Sequence, residues 1–443
     1  MLPKPAWAQF DDVRPETVVC STPADVAATI AFARRVGTEA VARSGGHCFA
    51  GRSSTRGILI ALSEMRSLSI ADGVATVQAG ALLGDIYEYL DEHGLTIAAG
   101  ACPSVGIAGL TLGGGLGILS RKYGLTCDLL VGAQVALADG RIVDCDGQRE
   151  PDLFWALRGA GGGQFGVVTS FQFRTVPADD LTCFKLTWPH RQAATVVEQW
   201  QDWAPEAADE LAASLLVTAS ADLSEPVVSI FGAMLAAKAE TIETLDQLVV
   251  RLGAEPVSAT IEQMSHQGAK SFLAEDAPGA ERQDDTPQRP SVMFSKWEFF
   301  RRPLPPDAIA ALIDTFMAER VLGQARELDF TPWGGAYNRT AADATAFAHR
   351  NERFLLKHAV VLDADASVHE RDAARNWLVR SWSLVHPHGS GGVFPNFPDP
   401  DLTDWRAYHG VNYERLTRVK ARYDPDDFFR FHQSLPPADR SSG

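Results

Sequence analysis

ARSGGHCFAG (Ala42–Gly51) and GACPSVGIAGLTLGGGLG (Gly100–Gly117) decide how this chain is read. The first sets a histidine directly after a glycine pair. The second opens with a cysteine ahead of a proline and runs into a glycine tract. Consecutive glycines allow positive φ and close backbone approach, and adjacent amides in such turns aim their N–H groups at an anion. A pyrophosphate suits Gly45-Gly46. Leu112–Gly117 offers a second stretch without Cβ obstruction, and GAGGGQFG (Gly159–Gly166) a third. Gly161, Gly163 and Gly166 satisfy G-x-G-x-x-G, but the strand pattern VVTSFQFR follows where a dinucleotide fold needs a helix, so the Rossmann context fails. One glycine cluster alone reads as a tight turn. Three in a region with neither P-loop nor Rossmann pattern point to one large cofactor lying along the backbone.

The chain around these motifs has 443 residues, enough for two domains, with one able to interrupt the other. Its composition, 46% apolar and 22% charged, is globular, and a formal net charge of −16 argues against nucleic acid or an anionic membrane as the main partner. The N-terminal residues lack a basic segment followed by an apolar one, and no run of about eighteen apolar residues occurs, so a cytoplasmic protein without membrane spans is expected. Six cysteines lie without C-x-x-C spacing, which speaks against a zinc site or a disulfide framework.

Local patterns give a mixed α/β first part. Thr22-Pro23 caps a helix carrying Val26, Ile30 and Ala33 and stopping at Gly37; EAVAR is a strand feeding the Ser44-Gly45-Gly46 turn. GVATVQAGA is a strand, and Leu83, Ile86, Tyr87 and Leu90 share a helix face closing at Gly94. LLVGAQVALADGRIVDCD reads as two strands turning at Asp139-Gly140, and FGVVTSFQFRTV as another strand. From Pro177 to about Val385, helical patterns at 193–214 and 306–322 alternate with strands such as EPVVSIFGAML and HAVVLDADA, which is a helix-covered antiparallel sheet. Residues 275–291, polar and proline-bearing, read as an exposed loop, and the ERQDD run within them as a solvated face.

RSGGH, CPSVGIAGLTLGGGLG, DLFWALRGAGGGQFGVVTSFQF and the late NYERLTRVKARYDP resemble, in order and spacing, the berberine-bridge-enzyme-like oxidases within the vanillyl-alcohol-oxidase-type flavoproteins. The resemblance spans the chain, strongest over 20–178 and 394–435. It implies an α+β, two-domain flavoprotein: an FAD-binding domain from 1–178 and a C-terminal segment 390–443, and a substrate-binding domain over 179–389. It implies FAD bound twice, through a ring nitrogen of His47 to the 8α-methyl and through the sulfur of Cys102 to C6 of the isoalloxazine. A neutral imidazole and a thiolate are the side-chain nucleophiles suited to an electron-poor ring. Cofactor positions carried over with them are Arg43, Ser44, Gly45, Gly46, Val105, Gly106, Gly109, Gly113, Gly114, Gly115, Gly117, Gly166, Val168 and Asn412. Cys48 departs from the small polar residue expected beside the histidine and is read as a packed bystander.

The resemblance also implies a catalytic tyrosine at Tyr413, acting as base while hydride passes to the flavin. ELDFTPWGGAYNR matches a strand that faces substrate in the family. Asp329, Thr331 and Trp333 share one face by alternation, and Tyr337 follows the Gly334-Gly335 break, so Asp329 and Tyr337 are the assisting candidates. Val105, three residues after Cys102, is the permissive residue of the family's oxygen gate, making molecular oxygen the acceptor and hydrogen peroxide the product. The substrate is a small organic molecule: a sugar or glycosylated secondary metabolite, or an alkaloid or polyketide. Trp297 and Trp333 suit stacking against either, whereas Trp200 and Trp203 belong to a helix core. The competing readings are a dehydrogenase with another acceptor and a binding protein that kept the fold and lost turnover. His386 and His388, split by Pro387, read as a turn and not a metal site.

Overall fold

The structure, a computed structural model, describes residues 4–10, 13, 15–274 and 291–439. Residues 275–290 of the expected exposed loop lie outside them. The chain divides into two units: Met1–Ala178 with Thr340–Arg350 and Phe394–Gly443, and Asp179–Arg339 with Asn351–Val393.

In the first unit, Glu16–Val19, Ile58–Ala61 and Ala40–Arg43 make a small parallel sheet, and Leu68–Ala71, Val74–Gln78, Val167–Arg174, Leu130–Ala136 and Ile142–Asp146 an antiparallel one. The helix Pro23–Val36 starts as expected. Thr22 accepts from the Asp25 N–H in a capping box, Pro23 occupies the first turn, and Gly37 ends the helix at φ 69°. Leu83, Ile86, Tyr87 and Leu90 are all buried on the helix Leu83–Asp91.

The segment Thr340–Arg350, expected in the substrate domain, groups with the first unit for a visible reason. Arg350, 1% exposed, grips Asp128 through two hydrogen bonds of 2.8 and 2.7 Å. Trp155 Nε1 donates to the Asp343 carbonyl at 2.8 Å. Bidentate, charge-assisted pairs such as Arg350–Asp128 fix geometry as well as contributing energy. The last boundary falls at Phe394 and not at 390.

The second unit is built on a seven-stranded antiparallel sheet with the order Ser258–Met264, Leu181–Pro189, Val227–Met234, Leu211–Ala219, Gln324–Pro332, Phe354–Asp363, Ser291–Phe300. Alternation sends Leu215, Val217, Leu328, Phe330, Phe354 and Leu356 to one face, where they form a core with Val196, Trp200, Ile309, Leu312 and Trp377 from the helices Ala193–Trp203, Pro306–Met317 and Val368–Val385. Each fully buried side chain of this size contributes about 1.5–3 kcal/mol. Trp200 is core, as expected, with its Nε1 donating to the Ala213 carbonyl at 2.8 Å.

Two expected helices are shorter than their patterns. Over 193–214 the helix ends at Trp203, and Leu211–Ala219 is a strand whose odd-numbered residues are buried. Pro205 cannot donate to a continuing helix, and the period-two burial of Leu211, Ala213 and Leu215 takes over. The helix from Pro306 stops at Met317, five residues before Leu322.

Candidate functional site

The first unit brings together the two nucleophiles that the sequence sets far apart. Ser104 Oγ lies 3.1 Å from His47 Nε2 and 3.4 Å from Cys102 Sγ. Burial lowers the pKa of His47, with the Ser104 contact opposing it, so the ring is neutral and carries a lone pair at neutral pH. The loop holding Cys102 is fixed by the helix that precedes it: Gly84 N–H donates to the Pro103 carbonyl and Leu83 N–H to the Val105 carbonyl, each at 2.9 Å. Those are orphan donors of a helix start, satisfied by the loop. Tyr87, one turn on, donates to the Gly100 carbonyl at 2.6 Å. Its phenol pKa is pushed well above its ordinary value by burial and, less, by Cys102.

The histidine and cysteine loops meet backbone to backbone. A Cβ on Gly45 would lie 2.3 Å from the Gly106 nitrogen, and one on Gly106 would lie 2.2 Å from the Gly45 nitrogen. No residue but glycine fits either position. Ser44 Oγ donates to the Ala79 carbonyl at 2.7 Å, and Arg43 donates to Ser53 O and Ser54 Oγ at 2.9 and 3.0 Å. Arg43 therefore shapes the loop after His47, whereas the resemblance sets it on the cofactor.

The glycine tract is clamped by a residue to which no motif in the sequence points. Asn396, between Phe394 and Phe397, donates to the Gly109 carbonyl and accepts from the Gly115 N–H, both at 2.9 Å. Gly113 has no room for a Cβ, which would lie 2.3 Å from Asn396 Nδ2, and a Cβ on Gly117 would clash with the Ala99 carbonyl at 2.0 Å. Gly114, at φ 121°, packs under Phe394 and Phe347. The available signal is the spacing of FPNF, an amide held between two rings. Gly109, in contrast, faces open space: a Cβ there would meet nothing within 4 Å, so the backbone is open to close approach by a cofactor. Gly166 and Val168 are committed to packing against the strand Leu130–Ala136.

The late motif has a structural job. Asn412 donates through Nδ2 to the Ala342 and Thr345 carbonyls at 2.7 and 3.1 Å, which ties its amide nitrogen to the segment Thr340–Arg350. Tyr413 begins the helix Tyr413–Tyr423, half-buried, with its ring 4.6 Å from the Arg406 guanidinium and 6.2 Å from the His409 ring. Neither neighbour is on the His47 or Cys102 loop. Lys420, on the same helix, donates to Asp424 and to the Gln164 and Phe429 carbonyls, tying the motif to the third glycine loop.

In the second unit, Asp329 and Thr331 share the sheet face opposite the core, but the strand ends at Pro332 and Trp333 is fully buried beyond it. Trp333 stacks on Tyr337 at 4.4 Å and meets Phe299 edge-on at 4.8 Å. That is an aromatic cluster in a well-packed wall. Asp329 has a partner the sequence did not reveal: Lys357, 1% exposed, lies 3.4 Å from Asp329 Oδ2 and 2.9 Å from Glu327 Oε2. Burial raises the pKa of Asp329 against the pull of Lys357. His386 forms a turn with His388, as expected, and pairs with Glu298 at 2.9 Å; among the described residues no cluster could hold a metal ion.

Residues 15–146 match the FAD binding domain family, and residues 393–436 the berberine and berberine like family. The chain is 32% identical to the FAD-linked oxidoreductase YgaK of Bacillus subtilis, over 96% of this chain and 91% of that protein. Its fold is similar to that of the berberine-bridge-enzyme-like protein 28 of Arabidopsis thaliana, with TM-score 0.88 and 27% identity over 99% of this chain and 96% of that one. It is similar, too, to the glucooligosaccharide oxidase of Acremonium strictum, which carries a 6-S-cysteinyl, 8α-N1-histidyl FAD, with TM-score 0.86 and 25% identity over 98% of this chain and 94% of that one. With the glycine loops, the returning C-terminal segment and the helix-covered sheet all in place, the chain is an FAD-linked oxidoreductase and belongs to the berberine-bridge-enzyme-like family of the vanillyl-alcohol-oxidase fold.

Proposed function

We propose that the protein is an oxidase of a small organic substrate, with FAD held covalently by both His47 and Cys102. The observation that carries this reading is the shared hydrogen-bond partner: a neutral imidazole and a thiol from two separate loops converge on Ser104 Oγ at 3.1 and 3.4 Å. FAD held by His47 and Cys102 would supply the two-electron redox chemistry between substrate and oxygen, with hydrogen peroxide as the product. The chain's own part is to hold and orient. Ser104 sets the ring and the sulfur in position, and the Gly45–Gly106 contact lets the two loops approach closely enough for both to serve one ligand. Val105, half-buried on the cysteine loop and with its carbonyl fixed by Leu83, is the small apolar side chain that leaves room for oxygen. Proton acceptance is assigned to Tyr413, at the start of the helix Tyr413–Tyr423 and in the same unit as His47 and Cys102. Tyr337, stacked on Trp333, serves as a packing residue.

A screen of sugars, glycosylated metabolites and aromatic alcohols tests the oxidase reading. A true substrate bleaches the yellow protein without air, and admitting air restores the colour with one peroxide released per substrate oxidised. Bleaching that air does not reverse, while an artificial acceptor does, makes the protein a dehydrogenase. No bleaching by any compound favours a binding protein.

A further inference from the structure

One hydroxyl stands between the two side chains assigned to the flavin. Ser104 Oγ lies 3.4 Å from Cys102 Sγ and 3.1 Å from His47 Nε2, so thiol, hydroxyl and imidazole form a continuous hydrogen-bonded row within the first unit. Among the described residues, no other side chain hydrogen-bonds that sulfur or that ring. Two other hydroxyls stand close to these loops, and both are committed elsewhere. Ser44 Oγ, which a Cβ on Gly106 would meet at 2.2 Å, donates to the Ala79 carbonyl at 2.7 Å. Tyr87 donates to the Gly100 carbonyl at 2.6 Å, and burial, then the nearby sulfur, push its pKa well above the ordinary phenol value. A phenol held protonated in this way does not take a proton from a thiol.

The row is held from both ends of Ser104. Pro103 fixes its own φ and its carbonyl accepts from the Gly84 N–H, while the Val105 carbonyl accepts from the Leu83 N–H, each at 2.9 Å. The peptide units flanking Ser104 are thereby pinned to the start of the helix Leu83–Asp91, and the Ser104 carbonyl packs where a Cβ on Gly45 would lie, 2.8 Å away. From this arrangement we infer that Ser104 is a proton relay, whose hydroxyl carries the Cys102 thiol proton to His47 while the sulfur bonds the flavin. The inference rests on the doubly bonded flavin proposed above and names the residue that lets the sulfur bond form at neutral pH.

A thiol attacks as its thiolate, so its proton has to leave, and a neutral imidazole offers one nitrogen lone pair to receive it. The Cys102 S–H bond breaks, its proton joins Ser104 Oγ, and the proton that Ser104 already held passes to His47 Nε2. The electron pair left on sulfur forms the bond to C6 of the isoalloxazine. C6 releases its hydrogen as a proton, molecular oxygen takes the two electrons left in the ring, and with two protons it becomes hydrogen peroxide. His47 returns its extra proton to solvent. In sum, one thiol hydrogen, one ring hydrogen and one oxygen molecule give one sulfur–carbon bond and one peroxide. Burial keeps the His47 ring neutral and ready to accept, and the Ser104 backbone contact favours the protonated ring once the proton has arrived. The nitrogen bond does not depend on the relay, because a neutral ring already carries a lone pair.

Proteolysis of the full-length flavin-loaded protein, followed by mass spectrometry of its flavin peptides, tests this without a turnover assay. In wild type we expect one flavin joining the His47 peptide to the Cys102 peptide. In Ser104→Ala we expect flavin on the His47 peptide, with Cys102 free in most molecules. Kept in air, that variant should complete its sulfur bond at least about tenfold faster at pH 9 than at pH 7, because hydroxide then removes the thiol proton directly. Ser104→Thr keeps the hydroxyl and should match wild type. Ser104→Val has the shape of threonine without the hydroxyl and should match Ser104→Ala. Should Ser104→Ala not fold, the Thr and Val variants give the same comparison. Both bonds as complete in Ser104→Ala and Ser104→Val as in wild type overturn the relay. So does a sulfur bond that forms equally slowly at pH 7 and pH 9, or a Thr variant left with Cys102 free, since either makes Ser104 a shaping residue only. The two readings fail differently: the relay alone fails when wild type carries both bonds and the hydroxyl proves dispensable, whereas wild type lacking either bond overturns double attachment and the relay together.

Discussion

Replacing Lys420 by methionine keeps the aliphatic stem and removes one ammonium from the interior of the first unit. The ammonium donates to Asp424 Oδ2 at 2.7 Å, to the Gln164 carbonyl at 2.8 Å and to the Phe429 carbonyl at 2.6 Å, and neither charged side chain has any exposed surface. Asp424 keeps two backbone donors, Phe428 and Phe429, at 2.9 and 2.8 Å, which lessens its loss without cancelling its charge. Removing one partner of a buried ion pair costs about 3–5 kcal/mol, because the other charge stays behind unpaired. A domain of ordinary stability has about 5–15 kcal/mol in total, so the variant should lose a large part of it. Urea unfolding at pH 7, followed by hydrogen exchange of the helix Tyr413–Tyr423, measures the effect on this unit. Lys420 also lies 3.2 Å from Asp427 Oδ1, so a companion variant, Lys420→Met with Asp424→Asn, should recover only part of the loss: it removes the fully buried charge and keeps an acceptor for the Phe428 and Phe429 N–H groups, while Asp427 stays unpaired. A single-variant cost below about 1 kcal/mol, the scale of an exposed pair, would refute the reasoning that VKARYDP is an internal clamp.

Other expectations concern the site. Tyr413→Phe should slow flavin reduction by about 10²–10⁴-fold, the cost of losing a general base, while substrate binding stays nearly normal; rapid mixing with a substrate found by the peroxide screen checks this, and reduction at the wild-type rate would move the base elsewhere. Val105→Leu should slow reoxidation by oxygen while leaving reduction nearly intact, because the added methylene fills space without touching a proton path; stopped-flow measurement of the two half-reactions checks this. The lowered pKa of His47 means its ring is already neutral below the ordinary value of about 6.5, so flavin attachment through His47 in Cys102→Ala apoprotein should be flat from about pH 6.5 to 8. A rate rising with pH across that window would show an unshifted imidazole.

The Pro23–Val36 helix is legible in the chain itself because its cap, its proline and its terminal glycine are local devices, each acting within a turn. Gly45 and Gly106 can be marked as special from composition, but not that they touch one another, since nothing in either loop encodes the other. The late motif marks Asn412 and Tyr413, but not that the asparagine grips 342–345, because that contact is set by a segment about seventy residues away. Asp329 is visible by alternation, yet Lys357 is not, because its place beside Asp329 follows from strand register and HAVVLDADA reads as an ordinary apolar strand that begins after it. Pro205 stands in plain view inside a long helical pattern, and period-two burial beyond it overrides that pattern.

The central claim is that His47 and Cys102 both bond the flavin, and acid precipitation tests it most directly. Wild-type protein, His47→Ala and Cys102→Ala are each denatured, spun down and assayed for yellow fluorescence in pellet and supernatant. The account predicts flavin in the pellet for all three and in the supernatant only for the His47→Ala/Cys102→Ala double variant. Free flavin from the wild type, or from either single variant, would contradict it.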